Sequence, residues 1–281
     1  MRVLSLPIND FWFILGPAIG SVPGSIRWVR SHSENGLTFG KLVKLGLFRF
    51  RRKEDIRFSA SALLRVRSVD NEDQFLLVRG GPRSDPYWGP VGGVLKYFPS
   101  RTQRKFDEMR IRLHRTGDTG NGMTNDLRLL IPSKNIFKFL KWYRTDQGRE
   151  SIDQAILREM VEELGWQEGE SEQEEKVGHY ELLEMVTRMG IEEVFDRPII
   201  QLGYGPVFGN QDGKEFFHLR MFYVLEIVQN AEFEPWLGKA IEGALKNRTL
   251  WAKEDLLKED GGSSGIPIGG HSRAILGIPP L

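Results

Sequence analysis

Three glutamates within residues 158–165 have the type and spacing needed to bind a metal ion. Glu159, Glu162 and Glu163 are three and four positions apart, so in a helix their side chains lie on one face. Like charges placed in this way repel one another by about 0.2–0.5 kcal/mol per pair unless a cation lies among them. Because all of the ligands would be oxygen atoms, the pattern indicates Mg²⁺ or Mn²⁺ rather than zinc.

The residues before these glutamates predict the helix that would carry them. Ser151 and Gln154 have the spacing of a capping box, in which two side chains pair with main-chain N–H groups at a helix start. The apolar face of this helix would be formed by Ile152, Ala155, Ile156 and Met160. Gly165 is suited to end the helix in a left-handed turn. Glu150 lies just before the cap, eight positions ahead of Arg158.

This arrangement resembles the Nudix box, G-x5-E-x7-R-E-U-x-E-E-x-G-U, in which U is an apolar residue. The matching positions of this sequence are Glu150, Arg158, Glu159, Met160, Glu162, Glu163, Gly165 and Trp166. Arg144 occupies the strict position of the leading glycine. The better candidate is the pair Gly92-Gly93, at the end of a segment from Trp88 that looks like the one opening the Nudix loop. Roughly fifty extra residues would then split the motif, which is tolerable because the free energy of loop closure grows only logarithmically with length.

The resemblance implies an α/β fold of the Nudix type, an α/β/α sandwich with a mixed β-sheet. It implies an Mg²⁺-dependent pyrophosphohydrolase that cleaves a nucleoside diphosphate linked to another moiety. Glu159, Glu162 and Glu163 would hold the Mg²⁺ (or Mn²⁺), with the backbone carbonyl of Gly92 or Gly93 nearby. The alternative is an ordinary solvated helix, on which runs of this composition are common. The fold also serves as a binding module, so it does not by itself imply hydrolysis.

The remaining roles in the box follow from the same resemblance. Arg158 would pair with Glu150 and fix the loop against the helix, which is a positioning role. The general base varies within the family, so it could be a box glutamate or an acid on a distant loop. The candidates outside the box are Glu215, Glu192 and Glu193, each of which also fits an ordinary solvated loop acid.

Composition limits the broad class of protein. The chain has 281 residues, of which 40% are hydrophobic and 27% charged, as is usual for a soluble protein. A net charge of +1 identifies no partner. The absence of cysteine excludes disulfides, thiolate catalysis and cysteine-based zinc sites, and it fits a reducing compartment. We therefore expect a cytoplasmic protein.

Residues 1–55 form a hydrophobic and then basic segment ahead of the domain predicted at 56–281. Residues 11–26 carry no charge but contain several prolines and glycines. The stretch is short for a spanning helix, which needs about 20 apolar residues. Two interpretations stay open: an apolar arm packed on the domain, or attachment to the inner face of a membrane with the following basic residues at its anionic surface.

The predicted domain combines strands with a basic insertion. Alternation and turn signals predict strands over 58–66, 74–79, 180–186, 199–204 and 216–228, the first two as a hairpin. Short helical or mixed pieces are expected at 242–256 and 272–276. The insertion, about 97–147, is expected to be helical, and Ser133 is predicted to cap its second helix. Lys138 and Lys141 on that helix could bind phosphates, and Trp88 could stack a base, although a solvated helix and a packed tryptophan explain them equally well.

A second class of function also fits the sequence. A Nudix domain after a short hydrophobic segment looks like the Nudix effectors of bacterial cyclic-oligonucleotide antiphage signalling (CBASS). In that case the chain would sense a cyclic oligonucleotide, with or without hydrolysing it. Nucleic acid is a less favoured partner, because the interleaved aromatic and basic residues of 137–143 match no recognised motif. The oligomeric state cannot be derived from these patterns.

Overall fold

The computed structural model describes residues 41, 54–68, 70–80, 86–114, 125–164, 191–206, 215–227, 238, 247–259 and 265–280. The strands, in chain order, are β1 (Asp55–Arg65), β2 (Gln74–Gly80), β3 (Tyr87–Gly89), β4 (Val91–Val94), β5 (Arg112–Leu113), β6 (Arg128–Pro132), β7 (Ile191–Glu193), β8 (Ile199–Pro206), β9 (Glu215–Ile227) and β10 (Thr249–Lys253). The helices are α1 (Pro99–Met109), α2 (Ile136–Tyr143), α3 (Ile152–Leu164) and α4 (Glu254–Lys258), with 3₁₀ turns at Ser133–Asn135 and Ser272–Leu276.

Strand β1 lies at the centre of a mixed seven-stranded sheet. It pairs in parallel with β9 along one edge, and antiparallel with β6 and then β4 along the other. β5 extends the sheet beyond β6, while β7 and β8 both pair antiparallel with β9. With partners on both edges and one face fully buried, β1 has a strongly specified register.

The two faces of β1 differ in chemistry. One face carries Ile56, Phe58, Ala60, Ala62 and Leu64, each completely buried. Phe139 of α2 packs on this face, with its ring 4.7 Å from that of Phe58 in edge-to-face geometry. Ile156 of α3 belongs to the same core. The opposite face includes Arg57, and also Leu63, which belongs to a separate buried cluster.

A second sheet of three antiparallel strands has β2 between β10 and β3. It shares the second core with the central sheet, through residues that include Leu63 and Ile275. The last segment of the chain holds β3 from its other side. The N–H of Trp88 donates to the carbonyl of Pro267 at 2.8 Å, and that of Gly269 donates to the carbonyl of Trp88 at 2.7 Å.

Most predicted strands are present, with one correction to their pairing. Strands β8 and β9 correspond to the predictions over 199–204 and 216–228, while 180–186 lies outside the described residues. The predicted hairpin between 58–66 and 74–79 is wrong except next to its turn. Beyond the turn, β2 separates from β1 and pairs with β10 and β3. The reason is the second core: β1 and β2 each contribute a face to it, and those faces can meet only when the strands lie in different sheets. The piece at 242–256 forms β10 and the start of α4 where the structure describes it.

The segment 97–147 is not only helical. It contains α1 and α2, but also β5 and β6, which extend the central sheet. The prediction that Ser133 caps the second helix is wrong. Asn135 occupies the N-cap of α2 without a side-chain cap, because its amide instead donates to the carbonyl of Met109 at 2.7 Å and ties α2 to α1.

In the described part of the chain, no helix has the length and apolar character required to cross a membrane. The charge-free stretch 11–26 lies outside the described residues, so its membrane attachment stays a prediction.

Candidate functional site

Helix α3 begins at the predicted capping box. The Ser151 N–H donates to the side-chain oxygen of Gln154 at 3.0 Å, and the Gln154 N–H donates to the Ser151 hydroxyl at 3.2 Å. Both bonds satisfy donors that the first turn of a helix leaves free. The apolar residues Ile156 and Met160 are completely buried, which sets the rotation of the helix and turns its glutamates toward β4. The end of the helix at residues 165 and 166 lies outside the described residues.

Gly92 brings the two halves of the motif together. Its main-chain N–H donates to Oε2 of Glu163 at 2.8 Å. The position requires glycine for two reasons. Its φ of +145° is rare for other residues, and a Cβ there would lie 2.2 Å from the carbonyl oxygen of Ala62 on β1. The close pairing of β4 with β1 therefore presents a bare main-chain donor to α3.

Gly93 provides the space for a second glutamate. A Cβ at this position would lie 2.0 Å from Oε1 of Glu159 and 2.7 Å from its Oε2. The carboxylate of Glu159 therefore packs directly on the backbone of β4, and it is only 8% exposed. Such close approach is possible only because the strand has no side chain there.

Arg158 and Glu150 form the ionic link between strand and helix. The guanidinium donates to both carboxylate oxygens of Glu150, from Nε at 2.9 Å and from the second terminal nitrogen at 3.1 Å. It also donates to Oε1 of Glu159 at 2.5 Å and to the carbonyl of Val94 at 3.1 Å. Bidentate pairs of this kind fix geometry as well as charge. Arg158 thus connects the loop, the strand and the helix, as the resemblance implies.

Lys96, directly after β4, completes this connection. Its main-chain N–H donates to Oε2 of Glu150 at 2.8 Å, and its carbonyl accepts from the Glu150 N–H at 2.9 Å. Its ammonium lies 3.7 Å from Oε1 of Glu162. Sequence reasoning missed Lys96, although its place three residues after the Gly-Gly pair was a usable signal.

The electrostatics of the site disfavour negative charge on two of the glutamates. Burial raises the pKa of Glu163 to about 8, opposed by the Gly92 N–H and reinforced by Glu159 and Glu162. Burial also raises the pKa of Glu159, although Arg158 opposes the effect. The pKa of Arg158 is itself raised, because its bonds to Glu150 and its interactions with Glu159 outweigh the effect of burial. The helix face therefore holds more buried carboxylates than its nearby cations neutralise.

A metal ion fits the chemistry of this face, although the side chains are not gathered into a finished metal site. Within the described ranges, no group of three or more histidine, cysteine, aspartate or glutamate side chains is arranged to hold an ion. Glu159 and Glu162 are instead engaged by Arg158 and Lys96. The donors that remain are carboxylate oxygens beside bare glycine backbone, which is the ligand type that Mg²⁺ prefers.

Asp126 is a site residue that sequence reasoning missed. It bridges to Lys96 immediately before β6, and its carboxylate lies 3.6 Å from Nε of Arg128. Burial raises its pKa to about 6, opposed by Arg128, Lys96 and Arg158 and reinforced by Glu150. The insertion thus places the carboxylate of Asp126 at the edge of the site. No local pattern distinguishes Asp126 from a loop aspartate.

The structure does not gather the substrate-binding candidates of the insertion around the glutamates. Lys138 lies 3.9 Å from Glu108 of α1 and Lys141 is exposed on α2. Neither lysine forms an ion pair with a box carboxylate within the described part of the chain. Trp88 packs against the second core, as a structural tryptophan would. The pKa of its neighbour Tyr87 is raised by burial and then by Glu163, and lowered by Arg128.

The candidate bases outside the box lie away from the site. Glu215 begins β9, eight positions before Tyr223. Tyr223 is paired with the part of β1 that lies beside the site. Eight strand residues correspond to about 26 Å at the usual strand rise. Glu192 and Glu193 are exposed on β7 at the edge of the sheet, with β9 and β1 between them and β4. These positions suit solvated acids.

The chain belongs to the SMODS-associated NUDIX domain family, whose model matches residues 55–276. This membership and the mixed sheet with its flanking helices confirm the predicted Nudix-type α/β fold, and a Nudix domain implies a nucleotide-related ligand. Among solved structures, the chain is similar to a NUDIX hydrolase from Nitrosomonas europaea, with 12% identity, a TM-score of 0.31, and coverage of 79% of this chain and 93% of that one. No curated protein matches the sequence.

Proposed function

We propose that this chain is an Mg²⁺-dependent pyrophosphohydrolase that cleaves a nucleoside diphosphate linked to another moiety. The observation that supports this most strongly is the bond from the Gly92 N–H to Glu163. It reunites the glycine half and the glutamate half of the Nudix box across the insertion. A solvated surface helix with the same charges would not be expected to place two of its glutamates against the bare backbone of a strand.

In this proposal Glu159, Glu162 and Glu163 would hold Mg²⁺ (or Mn²⁺) beside Gly93. The ion would neutralise the diphosphate and lower the pKa of an attacking water. In the metal-bound protein, Arg158 and Lys96 would give up their present contacts with the carboxylates of Glu159 and Glu162. Arg158 would keep its pairing with Glu150.

The other residues of the site would act by position. Arg158 and Glu150 hold α3 against β4 through two parallel hydrogen bonds. This would keep the carboxylates of the helix directed toward the same metal position. Lys96 joins the same assembly through the backbone and through its ammonium near Glu162, where it could also meet a substrate phosphate. Catalysis of phosphoryl transfer depends largely on such positioning.

The alternative function is a nucleotide-sensing effector of bacterial antiphage cyclic-oligonucleotide signalling, which binds the signal with or without hydrolysis. Two observations favour it. The matching family is described as SMODS-associated, and the box carboxylates are engaged by Arg158 and Lys96 rather than gathered into a ready metal site. Attachment to a membrane through residues 11–26 would belong to this alternative.

The experiment is a hydrolysis screen over nucleoside diphosphate derivatives and cyclic oligonucleotides, with and without Mg²⁺. Glu162→Gln is compared with Glu108→Gln, which changes a half-exposed glutamate of α1 in the same way. We expect metal-dependent turnover that Glu162→Gln lowers about 100-fold or more, since several kcal/mol of stabilisation depend on the metal, while Glu108→Gln retains it.

Equal turnover by Glu162→Gln and the wild type would show that this face is not catalytic. Tight binding of a cyclic oligonucleotide without any turnover would instead establish the effector.

A further inference from the structure

A row of polar side chains crosses five strands on the face of the central sheet opposite α2 and α3. The register places Ser59 of β1 opposite Arg128 of β6 on one side and Arg220 of β9 on the other. Gln201 of β8 follows beyond Arg220. His114 lies beyond Arg128, and its N–H donates to the Arg128 carbonyl at 2.8 Å. We call these five residues, with Arg57 in the adjacent row, the arginine row.

The common face is set by strand geometry. Residues paired across neighbouring strands point to the same side of a sheet, and so do residues two apart on one strand. Arg57 is two positions from Ser59 and is paired with His218. Phe58 lies between Arg57 and Ser59 on β1, and Leu219 lies between His218 and Arg220 on β9. Both are completely buried in the core on the other side of the sheet. The sheet thus separates an apolar face from a cationic one.

Within the described residues, the positive charge of this row is only partly neutralised. Arg57 is 7% exposed, and its Nε is buried without a hydrogen-bond partner among the described residues. The Nε of Arg220 is also buried without a hydrogen-bond partner among the described residues. Asp126 lies beside Arg128, but no described carboxylate forms an ion pair with Arg57 or Arg220. A buried guanidinium without a counter-charge is costly, so an anion on this face would remove a substantial penalty.

The titrations agree with this geometry. The pKa of Arg57 is lowered to about 9, chiefly by burial and then by Arg220 and Arg128. The pKa of His114 is lowered to about 4 by burial, then by Arg57 and Arg128. The dominant influence of neighbours on this face is therefore cationic.

The arginine row borders the glutamate site. Asp126 forms a backbone bridge with Lys96 of the site, and its carboxylate lies 3.6 Å from Nε of Arg128. Along β1, Gly92 pairs with Leu63 and Arg128 pairs with Ser59. Four strand residues therefore separate the levels of Gly92 and Arg128, which corresponds to about 13 Å. This offset along the strand is within the length of one extended ligand.

We propose that the arginine row binds a phosphate group of the ligand other than the diphosphate at the glutamates. This inference rests on the proposed function and narrows its substrate class. The ligand would carry a second phosphate or phosphodiester at a distance from the scissile anhydride, as a dinucleotide does and a simple nucleoside diphosphate does not. Paired guanidinium groups suit the planar, multidentate recognition of phosphate oxygens.

A small ligand fits better than nucleic acid. A polynucleotide is bound by an exposed basic surface that follows its backbone, whereas Arg57 is almost completely buried. Arg128 and Arg220 are partly exposed beside it, which suits contact with a single terminal phosphate better than with a continuous chain of phosphates.

The test measures binding of inorganic tripolyphosphate to the metal-free protein in EDTA by titration calorimetry. Arg57→Gln and Arg220→Gln should each weaken binding about tenfold or more, the usual contribution of a hydrogen bond to a charged group. Arg104→Gln removes the same charge from an exposed position on α1 and should bind like the wild type. Arg57→Lys, with its melting temperature, controls for folding and should recover part of the affinity.

The same titration with Glu163→Gln separates this proposal from the proposed function. Because the probe binds without metal, Glu163→Gln should retain it whether or not the protein hydrolyses anything. The proposal is overturned if the wild type does not bind tripolyphosphate, or if the folded row variants bind it unchanged. It is also overturned if single-stranded DNA displaces the probe at lower concentration than any dinucleotide does.

Discussion

The main-chain N–H of Gly92 bonds to Oε2 of Glu163 at 2.8 Å, although 71 residues of chain separate the two. This contact joins strand β4 to helix α3 directly, beside the place where Glu159 packs on Gly93. The intervening segment does not disturb this contact. It leaves the site after β4 and returns at Glu150, which is bound to Lys96 by two hydrogen bonds. The insertion is thus closed at its base, and the chemistry of the box is local in space.

Gly93→Ala should displace Glu159. The new Cβ would lie 2.0 Å from Oε1 of that carboxylate, so the carboxylate must move off β4 and lose its bond from Arg158, at a cost of about 1.5–3 kcal/mol for a hydrogen bond to a charged group. Gly203→Ala is the matched control, since a Cβ there meets no atom within 4 Å. Calorimetric titration of Mn²⁺ should show weaker binding for the Gly93 variant alone. Unchanged Mn²⁺ affinity in a folded Gly93→Ala protein would exclude Glu159 from the metal site.

Arg158→Lys should destabilise the protein although it preserves the charge. A lysine cannot reproduce the two parallel bonds to Glu150 together with the bond to the Val94 carbonyl. Leaving these acceptors without their donor should lower the free energy of unfolding by about 2–3 kcal/mol, measured by urea denaturation. The comparison is Arg104→Lys, whose single ion pair is on the surface and whose replacement should leave the midpoint unchanged. If both variants unfold at the wild-type urea concentration, Arg158 has no positioning role.

Ser151→Ala should weaken the start of α3. It removes the hydroxyl that accepts from the Gln154 N–H at 3.2 Å, a loss of about 1 kcal/mol for a typical cap. Ser100→Ala serves as control, because Ser100 lies in the first turn of α1, which has no side-chain cap. Thermal unfolding should separate the two variants. A Ser151→Ala protein as stable as Ser100→Ala would mean that the capping box contributes nothing to the fold.

His271 should make the protein sensitive to mild acid. Burial lowers its pKa to about 4, followed by Arg220 and Arg128, against about 6.5 in an unfolded chain. Because the unfolded state then binds the proton more readily, stability present above pH 6.5 is lost progressively as the pH falls toward 4.

The measurement is the melting temperature between pH 7 and pH 4 for the wild type and His271→Gln. The variant should show a shallower decline, with the remaining slope due in part to His114. If the decline is equally steep in both proteins, protonation of His271 does not contribute to it.

Much of the candidate site could be predicted from local sequence. The capping box, the helix and the positions of Glu159, Glu162 and Glu163 follow from spacings within fifteen residues, because helix geometry alone relates side chains three and four positions apart. The pairing of Arg158 with Glu150, eight positions apart, was expected instead from the resemblance to the Nudix box. The glycine half was found through its resemblance to a known motif, since no local rule connects it to a helix so far along the chain.

The hairpin error and the missed residues have a common cause. Alternation predicted the strand at 74–79 but not its partner, because the pattern of one strand does not specify which edge it meets. Asp126 and Lys96 are brought together by a bridge between segments that share no pattern. Likewise Lys138 and Lys141 looked like phosphate ligands on composition, yet α2 places them away from the glutamates.

The sequence by itself determined the spacing of the carboxylates and the helix that presents them, because those depend on contacts between residues close in the chain. Only the tertiary structure decided that Gly92 and Gly93 meet that helix, and that Arg57, Arg128 and Arg220 share one face of the sheet. Both outcomes depend on the register of strands distant in sequence. Register follows from how buried faces pack against one another, and that free energy is not contained in any single segment.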